Sequence, residues 1–289
     1  MTLQEAGFYL INQLRTVYDA GEASAISDRV MESLTGSDKT ERMLYKNNPI
    51  SPDEEARLLT YTQKLLTHEP LQYVLGEAWF FGLKFYVDKH VLIPRPETEE
   101  LVDWVIANCR FPIDTLSILD IGTGSGCIPV TLKRRLRKAH VTAIDISEDA
   151  LNVAKKNAVK LGAEVNFLQV DILNKDASAI LEPADIIISN PPYIPENNKA
   201  AMDANVLDFE PHTALFVPDN DALLFYKAIV TFAQTKLNPG GLLFFEIHED
   251  LGPAVIGSLE SEGFTAALKK DMQGKDRMVR GEREKVEEV

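Results

Sequence analysis

Asp120-Ile121-Gly122-Thr123-Gly124-Ser125-Gly126 follows the apolar run that begins at Ser117 and precedes a stretch of helical pattern. A buried strand that ends in a glycine-rich turn and opens a helix is the local form of a nucleotide-binding α/β unit. Glycine lets the backbone turn tightly and lets a ligand approach without meeting a Cβ. The spacing is G-x-G-x-G, because the third glycine is Gly126, whereas a dinucleotide fingerprint would place it where Cys127 stands. No P-loop lysine follows, which argues against a nucleoside triphosphatase. Asp145 ends the next apolar run, where a carboxylate can accept hydrogen bonds from both hydroxyls of a ribose. The alternative is a turn that only packs strand on helix, with Asp145 as a helix cap. The acid's spacing and its place at a strand end favour binding.

Outward from this turn, strands and helices alternate. Short apolar runs at Ser117 to Ile121, Val141 to Ile146, Val165 to Val170, Asp185 to Ser189 and Leu242 to Ile247 read as buried strands. The clearest helix between them runs from Ser147 to Leu161, with Gly162 as its stop. Such alternation predicts a parallel sheet with helices on both faces. After a last helix from about Gly252 to Glu262, two further strands are expected around Thr265 to Lys269 and Arg277 to Arg280. The expected fold is α/β, a mainly parallel twisted sheet with a terminal antiparallel hairpin. It resembles the class I, Rossmann-like methyltransferase fold. G-x-G-x-G is likewise similar to the adenosylmethionine-binding form of the glycine loop.

Upstream, the chain to about Gly76 is helical in pattern. Leu3, Leu10, Leu14 and Val17 recur on one face, then Ile26, Val30 and Leu34 on another, with Thr35-Gly36 closing the second helix. Ser51-Pro52-Asp53-Glu54 starts a third, with a capping hydroxyl, a proline at the first helical position and a glutamate that completes a capping box. From Ala78 to Ile93 aromatic and β-branched residues around Gly82 and Asp88-Lys89 suggest a β-hairpin, and Pro94-Arg95-Pro96-Glu97 opens a helix through Ile106. The expected domains are a small all-helical one at 1–75, a hairpin linker at 76–93 and the α/β domain at 94–289.

Asn190-Pro191-Pro192-Tyr193 follows the run Ile186 to Ser189, at the end of the fourth strand of the sheet. Ligands of open α/β sheets bind at the C-terminal ends of strands, so this loop should face the glycine loop. Its chemistry suits a planar NH2 group. The side-chain oxygen of Asn190 and the backbone carbonyl of Pro191 can each accept one N–H, which fixes the nitrogen and aims its lone pair. The prolines stiffen the loop, and Tyr193 offers a flat face for a planar substrate group. A Pro-Pro pair can also simply end a strand. Its position one strand–loop unit after a cofactor site favours catalysis by Asn190, Pro191 and Tyr193, with Pro192 completing the substrate contact.

Composition bounds the partners. The 289 residues carry 45% hydrophobic and 26% charged side chains, an ordinary globular balance. A formal net charge of -14 repels phosphate backbones, so no direct nucleic-acid partner is expected. Cys109 and Cys127 are the only cysteines. They form neither a zinc spacing nor a disulfide framework, so no metal is expected and a reducing cytoplasm fits. Met1-Thr2-Leu3-Gln4-Glu5 lacks the basic start of a secretory signal. No apolar run approaches the roughly 18 residues of a membrane span. The five histidines lack ligand spacing, and Lys133 to Lys138 reads as a solvated helix face.

Together these residues resemble the release factor glutamine methyltransferases. The likeness extends to Pro70-Leu71-Gln72-Tyr73, Leu92-Ile93-Pro94-Arg95-Pro96-Glu97-Thr98-Glu99, Glu210-Pro211, Phe245-Glu246-Ile247 and Asp276-Arg277. The resemblance implies methylation of the side-chain nitrogen of the GGQ glutamine in peptide chain release factors. S-adenosyl-L-methionine would be the donor and S-adenosyl-L-homocysteine the product. It implies that Gly122, Thr123, Gly124, Ser125, Gly126 and Asp145 hold the cofactor, that Ile172 flanks its adenine, and that Asn190 through Tyr193 hold the target glutamine, with Asn190 also touching the cofactor. It further implies a helical domain ahead of the catalytic fold. His248 stands where the family usually has glycine. Glu246 remains open between an acceptor supporting the site and a strand-end charge. An adenine-N6 DNA methyltransferase would use a similar loop on the same kind of NH2. Such an enzyme also needs a basic groove and base extrusion, neither evident at this charge. A non-catalytic cofactor-binding scaffold would have no need of the Asn190 loop.

Overall fold

The glycine-rich turn ends the central strand of a seven-stranded sheet. The computed structural model describes residues 1–174, 176–202 and 204–284. The chain divides into two units: Met1–Glu77 with a short segment ending at Phe209, and the remainder from Ala78 onward.

The first unit holds α1 (Leu3–Leu14), α2 (Ala20–Thr35), α3 (Lys39–Leu44), α4 (Pro52–Leu65) and α5 (Leu71–Leu75). Local chemistry sets their ends. Thr2 and Glu5 form a capping box on α1, Gly36 closes α2 in the left-handed conformation, and Ser51 with Glu54 caps α4 behind Pro52. Leu10, Leu14, Val30, Leu58 and Leu65 bury one shared core. Val17 departs from its expected place: α1 stops at Leu14, and Val17 lies beyond it on the surface. Tyr18 turns inward instead, donating its hydroxyl to the Leu65 carbonyl at 2.9 Å. The one-turn helices α3 and α5 are too short to leave an apolar period in the sequence.

The second unit opens with the hairpin of β1 (Ala78–Phe80) and β2 (Leu83–Phe85). Its two-residue turn has positive φ at both Phe81 (53°) and Gly82 (72°), the turn whose twist matches paired strands. The hairpin is shorter than the expected 78–93. Beyond Phe85 the side chain of Asn157 takes both backbone groups of Tyr86, at 2.6 and 2.8 Å, which removes them from any ladder. Phe80 and Phe85 are fully buried in the core of the second unit, so the segment expected as a linker begins as part of that core.

There follow α6 (Pro96–Asn108), β3 (Ser117–Ile121), α7 (Cys127–Arg135), β4 (His140–Asp145), α8 (Glu148–Leu161), β5 (Asn166–Gln169), α9 (Ala177–Ile180) and β6 (Ala184–Ser189). After them come β7 (Ile194–Pro195), then α10 (Ala204–Phe209), which belongs to the first unit, and β8 (Phe216–Val217), α11 (Leu224–Lys236), β9 (Leu237–Glu246), α12 (Gly252–Ser261), β10 (Phe264–Lys270) and β11 (Asp276–Arg283). The sheet order is β10-β11-β9-β6-β3-β4-β5; β9 through β5 are parallel, while β11 and β10 add antiparallel. This is the expected class I methyltransferase arrangement.

Successive side chains alternate between the two faces. Ile118, Ile186, Ile188, Leu242 and Phe244 pack with α6 and α7, while Leu119, Ile121, Ile187, Leu243 and Phe245 pack with α11 and α12. β9 begins five residues earlier than its apolar run suggests, because Leu237 pairs with Ala184 before a register shift. Gly241 is required there: a Cβ would lie 2.7 Å from the Asn238 carbonyl oxygen. Among the described residues, no helix is long and apolar enough to cross a membrane.

Candidate active site

Ile144, Ile121, Ser189 and Phe245 are register partners across four adjacent parallel strands. The next residue on each strand is Asp145, Gly122, Asn190 and Glu246. The motifs therefore form one row along the C-terminal edge of the sheet, with about 4.8 Å between neighbouring strands. The order of strands reverses between β3 and β6, which run parallel, the switch point at which open α/β sheets bind ligands. The Ser189 hydroxyl donates to the Ile121 carbonyl at 2.8 Å and ties the two strand ends together.

A cavity of about 320 Å³ opens over this row. Gly122, Gly124, Asp145, Ile172, Asn190, Pro191 and Pro192 all line it, with walls from His90 to Leu92 and from Pro211 to Phe216. Those walls are joined through the buried Glu210 carboxylate, which accepts from Ile93 N and pairs with Arg95. Thr123, Ser125, Gly126 and Tyr193, also expected at the site, are set back from the lining. Thr123 and Ser125 are buried under the turn.

The three glycines have different causes. Gly122 and Gly124 take φ of 75° and 51°, and a Cβ on either would point into open space. They leave a cradle beside the cavity. Gly126 opens α7 with φ of 78°, and there a Cβ would lie 3.0 Å from that of Ala154. It serves helix packing, so the third glycine acts on the site only through the turn.

Asp145 accepts from Gly124 N through Oδ2 and from Ser147 N through Oδ1, both at 2.9 Å. Burial raises its pKa against these bonds. A carboxylate oxygen offers two lone pairs, so each keeps one for a ligand hydroxyl. The cradle, this acid and the apolar Ile172 fit an adenosine-bearing cofactor.

Tyr193 packs into the α11 and α12 face, with its ring centroid 5.9 Å from His248. Burial, with the charge of Glu246, pushes its hydroxyl up to about 12, which leaves it neutral at working pH. His248 thus stands against the motif tyrosine.

Two buried groups escaped the reading of the sequence. Thr98, the third residue of α6, donates to Glu246 Oε2 at 2.7 Å and accepts from Asn190 Nδ2 at 3.4 Å. Asp120 is fully buried on the α6 and α7 face, and neither of its oxygens has a hydrogen-bond partner among the described residues. Its signal was available: it is an acid inside a strand whose two faces must both be apolar.

Burial pushes Asp120 up from 3.8 to about 7. The folded state thus holds the proton more tightly than the unfolded chain, and its contribution to stability, complete below about pH 4, falls as pH rises toward 7. Asp120→Asn is expected to remove that slope, with a ceiling of roughly 4 kcal/mol set by the shift. Urea unfolding at pH 5 and pH 8 should show the variant losing less stability than wild type over the interval. Equal losses would mean that Asp120 is ionised throughout.

Comparison with known proteins agrees with this geometry. A methyltransferase domain model matches residues 114–279, and a PrmC N-terminal domain model matches residues 9–76. The release factor glutamine methyltransferase of Flavobacterium psychrophilum is 41% identical, over 93% of this chain and 95% of its own. That of Bacteroides thetaiotaomicron is also 41% identical, over 95% and 98%. In fold, a methyltransferase from Pyrococcus furiosus aligns at a TM-score of 0.53 and 17% identity, over 81% of this chain and all of that one. With its motifs in register on one sheet edge and its relatives matched nearly end to end, the chain belongs to the release factor glutamine methyltransferase family.

Proposed function

We propose that this chain transfers a methyl group from S-adenosyl-L-methionine to the side-chain amide nitrogen of the glutamine in the GGQ motif of a peptide chain release factor. The observation that carries the reading is the shared edge: the cofactor motif and the Asn190 loop begin on paired positions of neighbouring strands and line one cavity. Adenosylmethionine supplies an electrophilic methyl group when bound. The protein's part is to bind, orient and exclude water. Asp145 accepts from the ribose hydroxyls, Gly122 and Gly124 admit the cofactor closely, and Ile172 packs against the adenine.

An amide nitrogen is a poor nucleophile because its lone pair is delocalised. Asn190 Oδ1 and the Pro191 carbonyl each accept one of its N–H groups, which favours a pyramidal nitrogen with its lone pair aimed into the cavity. The methylated nitrogen is acidic enough to lose its proton to water, so no dedicated base is needed. Pro192 and Tyr193 hold the loop's shape beside the substrate. The helical domain docks the release factor, in the cytoplasm where translation ends.

The test is transfer of labelled methyl from adenosylmethionine to a purified release factor and, in parallel, to unmethylated duplex DNA. Label on the GGQ glutamine is expected. Label on DNA would establish the adenine-N6 reading, and tight cofactor binding without turnover on either substrate would establish a scaffold.

Asp145→Ala is expected to weaken adenosylmethionine binding at least tenfold, since charged hydrogen bonds worth roughly 1.5 to 3 kcal/mol are lost. Calorimetry on the folded variant checks this. Unchanged affinity would remove Asp145 from the cofactor site.

A further inference from the structure

Glu246 is 2% exposed at the end of a central strand. A strand-end carboxylate with no task would be expected to reach solvent, because burying an ion costs several kcal/mol unless it is well paired. Among the described residues no cation offsets that cost by direct contact. The Arg277 guanidinium is committed to Asp271 at 3.2 Å and to the Ile247 carbonyl at 3.4 Å. Burial pushes Glu246 up to about 7, opposed by Thr98, by the charge of Arg277 and by Asn190, and reinforced by Glu97. Its short hydrogen bond comes from Thr98, 148 residues away in sequence.

The register explains the meeting. Ser189 pairs with Phe245, so Asn190 and Glu246 follow side by side. By the two-residue alternation they continue the face of Ile188 and Phe244, the face covered by α6. Thr98 sits in the first turn of α6, buried to 3% exposure. A threonine hydroxyl has one proton. Donated to Glu246, it leaves only lone pairs facing Asn190, and the amide answers with its NH2.

An asparagine amide can turn over about its last torsion, which is broad and roughly two-fold. One orientation presents Oδ1 to the acceptor nitrogen. The other presents NH2 to NH2, donor against donor. We propose that Thr98 and Glu246 are positioning residues that hold the Asn190 amide in its accepting orientation, through a hydrogen-bond chain running one way from Asn190 through Thr98 to Glu246. The chain also polarises Asn190 toward a stronger acceptor. The inference rests on the functional reading that Asn190 receives the glutamine amide.

The experiment measures kcat on release factor and adenosylmethionine Kd for five variants of the full chain, each checked by thermal unfolding. Thr98→Val should lower kcat roughly tenfold with Kd unchanged, and Thr98→Ser should restore it to within about twofold. Asn190→Asp keeps an acceptor for the substrate but leaves two carboxylates competing for one hydroxyl proton, with a loss of roughly tenfold. Glu246→Gln can still accept from Thr98, so alone it should cost only about threefold.

Combined with Asn190→Asp, Glu246→Gln supplies a new donor, and the chain can reverse: Gln Nε2 to Thr98, Thr98 to the aspartate. The double variant should come within about threefold of Glu246→Gln alone. Losses at 190 and 246 that simply multiply, or a folded Thr98→Val with wild-type kcat, would overturn the positioning. Absence of transfer to release factor by the wild type would overturn the functional reading, and the positioning with it. Wild-type transfer alongside an unaffected Thr98→Val would overturn the positioning alone.

Discussion

Asn190→Ala is expected to lower kcat for release factor methylation by on the order of a hundredfold or more, while adenosylmethionine affinity stays within about twofold. The methyl cavity has many walls, and Asn190 is one residue among its lining, so cofactor binding spreads over groups the substitution leaves in place. The reacting nitrogen has no such redundancy. It has two N–H groups to be held, and Asn190 Oδ1 and the Pro191 carbonyl are the two acceptors of the motif. Losing one frees the amide to rotate and lets its lone pair return to conjugation, a loss realised at the transition state and therefore read in kcat. The substitution also leaves Thr98 and Glu246 without the amide that both face. Among the described residues the Asn190 side chain bonds the Thr98 hydroxyl and no backbone group, so the fold should persist. Methyl transfer under saturating cofactor, with calorimetric Kd beside it, measures both quantities. Near wild-type turnover would mean that lone-pair orientation is supplied elsewhere.

Much of this arrangement was legible because parallel strands buried on both faces are written as continuous apolar runs. Ile186 to Ser189 and Ser117 to Ile121 show themselves for that reason, and each is followed at once by its motif. The errors have equally local causes. The strand expected from Leu242 in fact begins at Leu237, because the irregularity against β6 takes Pro239, Gly240 and Gly241, residues that give no apolar run. Val17 keeps helical spacing with Leu14, but the chain leaves the helix after Leu14 and Val17 lies in the turn that follows, off the common face. Tyr193, expected to offer a flat face to the substrate, instead packs its ring into the α11 and α12 face behind the loop. Thr98 stands in a stretch that carries the family resemblance, but its role could not be read. A threonine at the third position of a helix has many uses, and what distinguishes this one is a carboxylate that only the packing of α6 on β9 brings to it.

Removing the helical domain is expected to raise KM for intact release factor by roughly a hundredfold while leaving cofactor affinity and turnover of a short GGQ peptide nearly unchanged. A GGQ segment gives the Asn190 loop only a few side chains to hold, so affinity for a whole release factor needs a second surface. Tethered contacts raise the effective concentration of the reacting glutamine by orders of magnitude without any new chemistry. The helical unit carries large apolar side chains in the open: Phe8, Met43, Leu44 and Tyr45 are each more than half exposed. Apolar groups presented to water in this way suit protein contact better than nucleic acid. A cut after Glu77 also deprives the segment ending at Phe209 of the helices with which it clusters. Thermal unfolding and cofactor binding of the truncated chain must therefore precede the kinetics. A full-length double variant, Met43→Glu with Leu44→Glu, tests the same surface without a cut and should raise KM for the protein substrate alone. Equal losses on release factor and peptide would show that the helical domain supports the catalytic fold instead of docking the substrate.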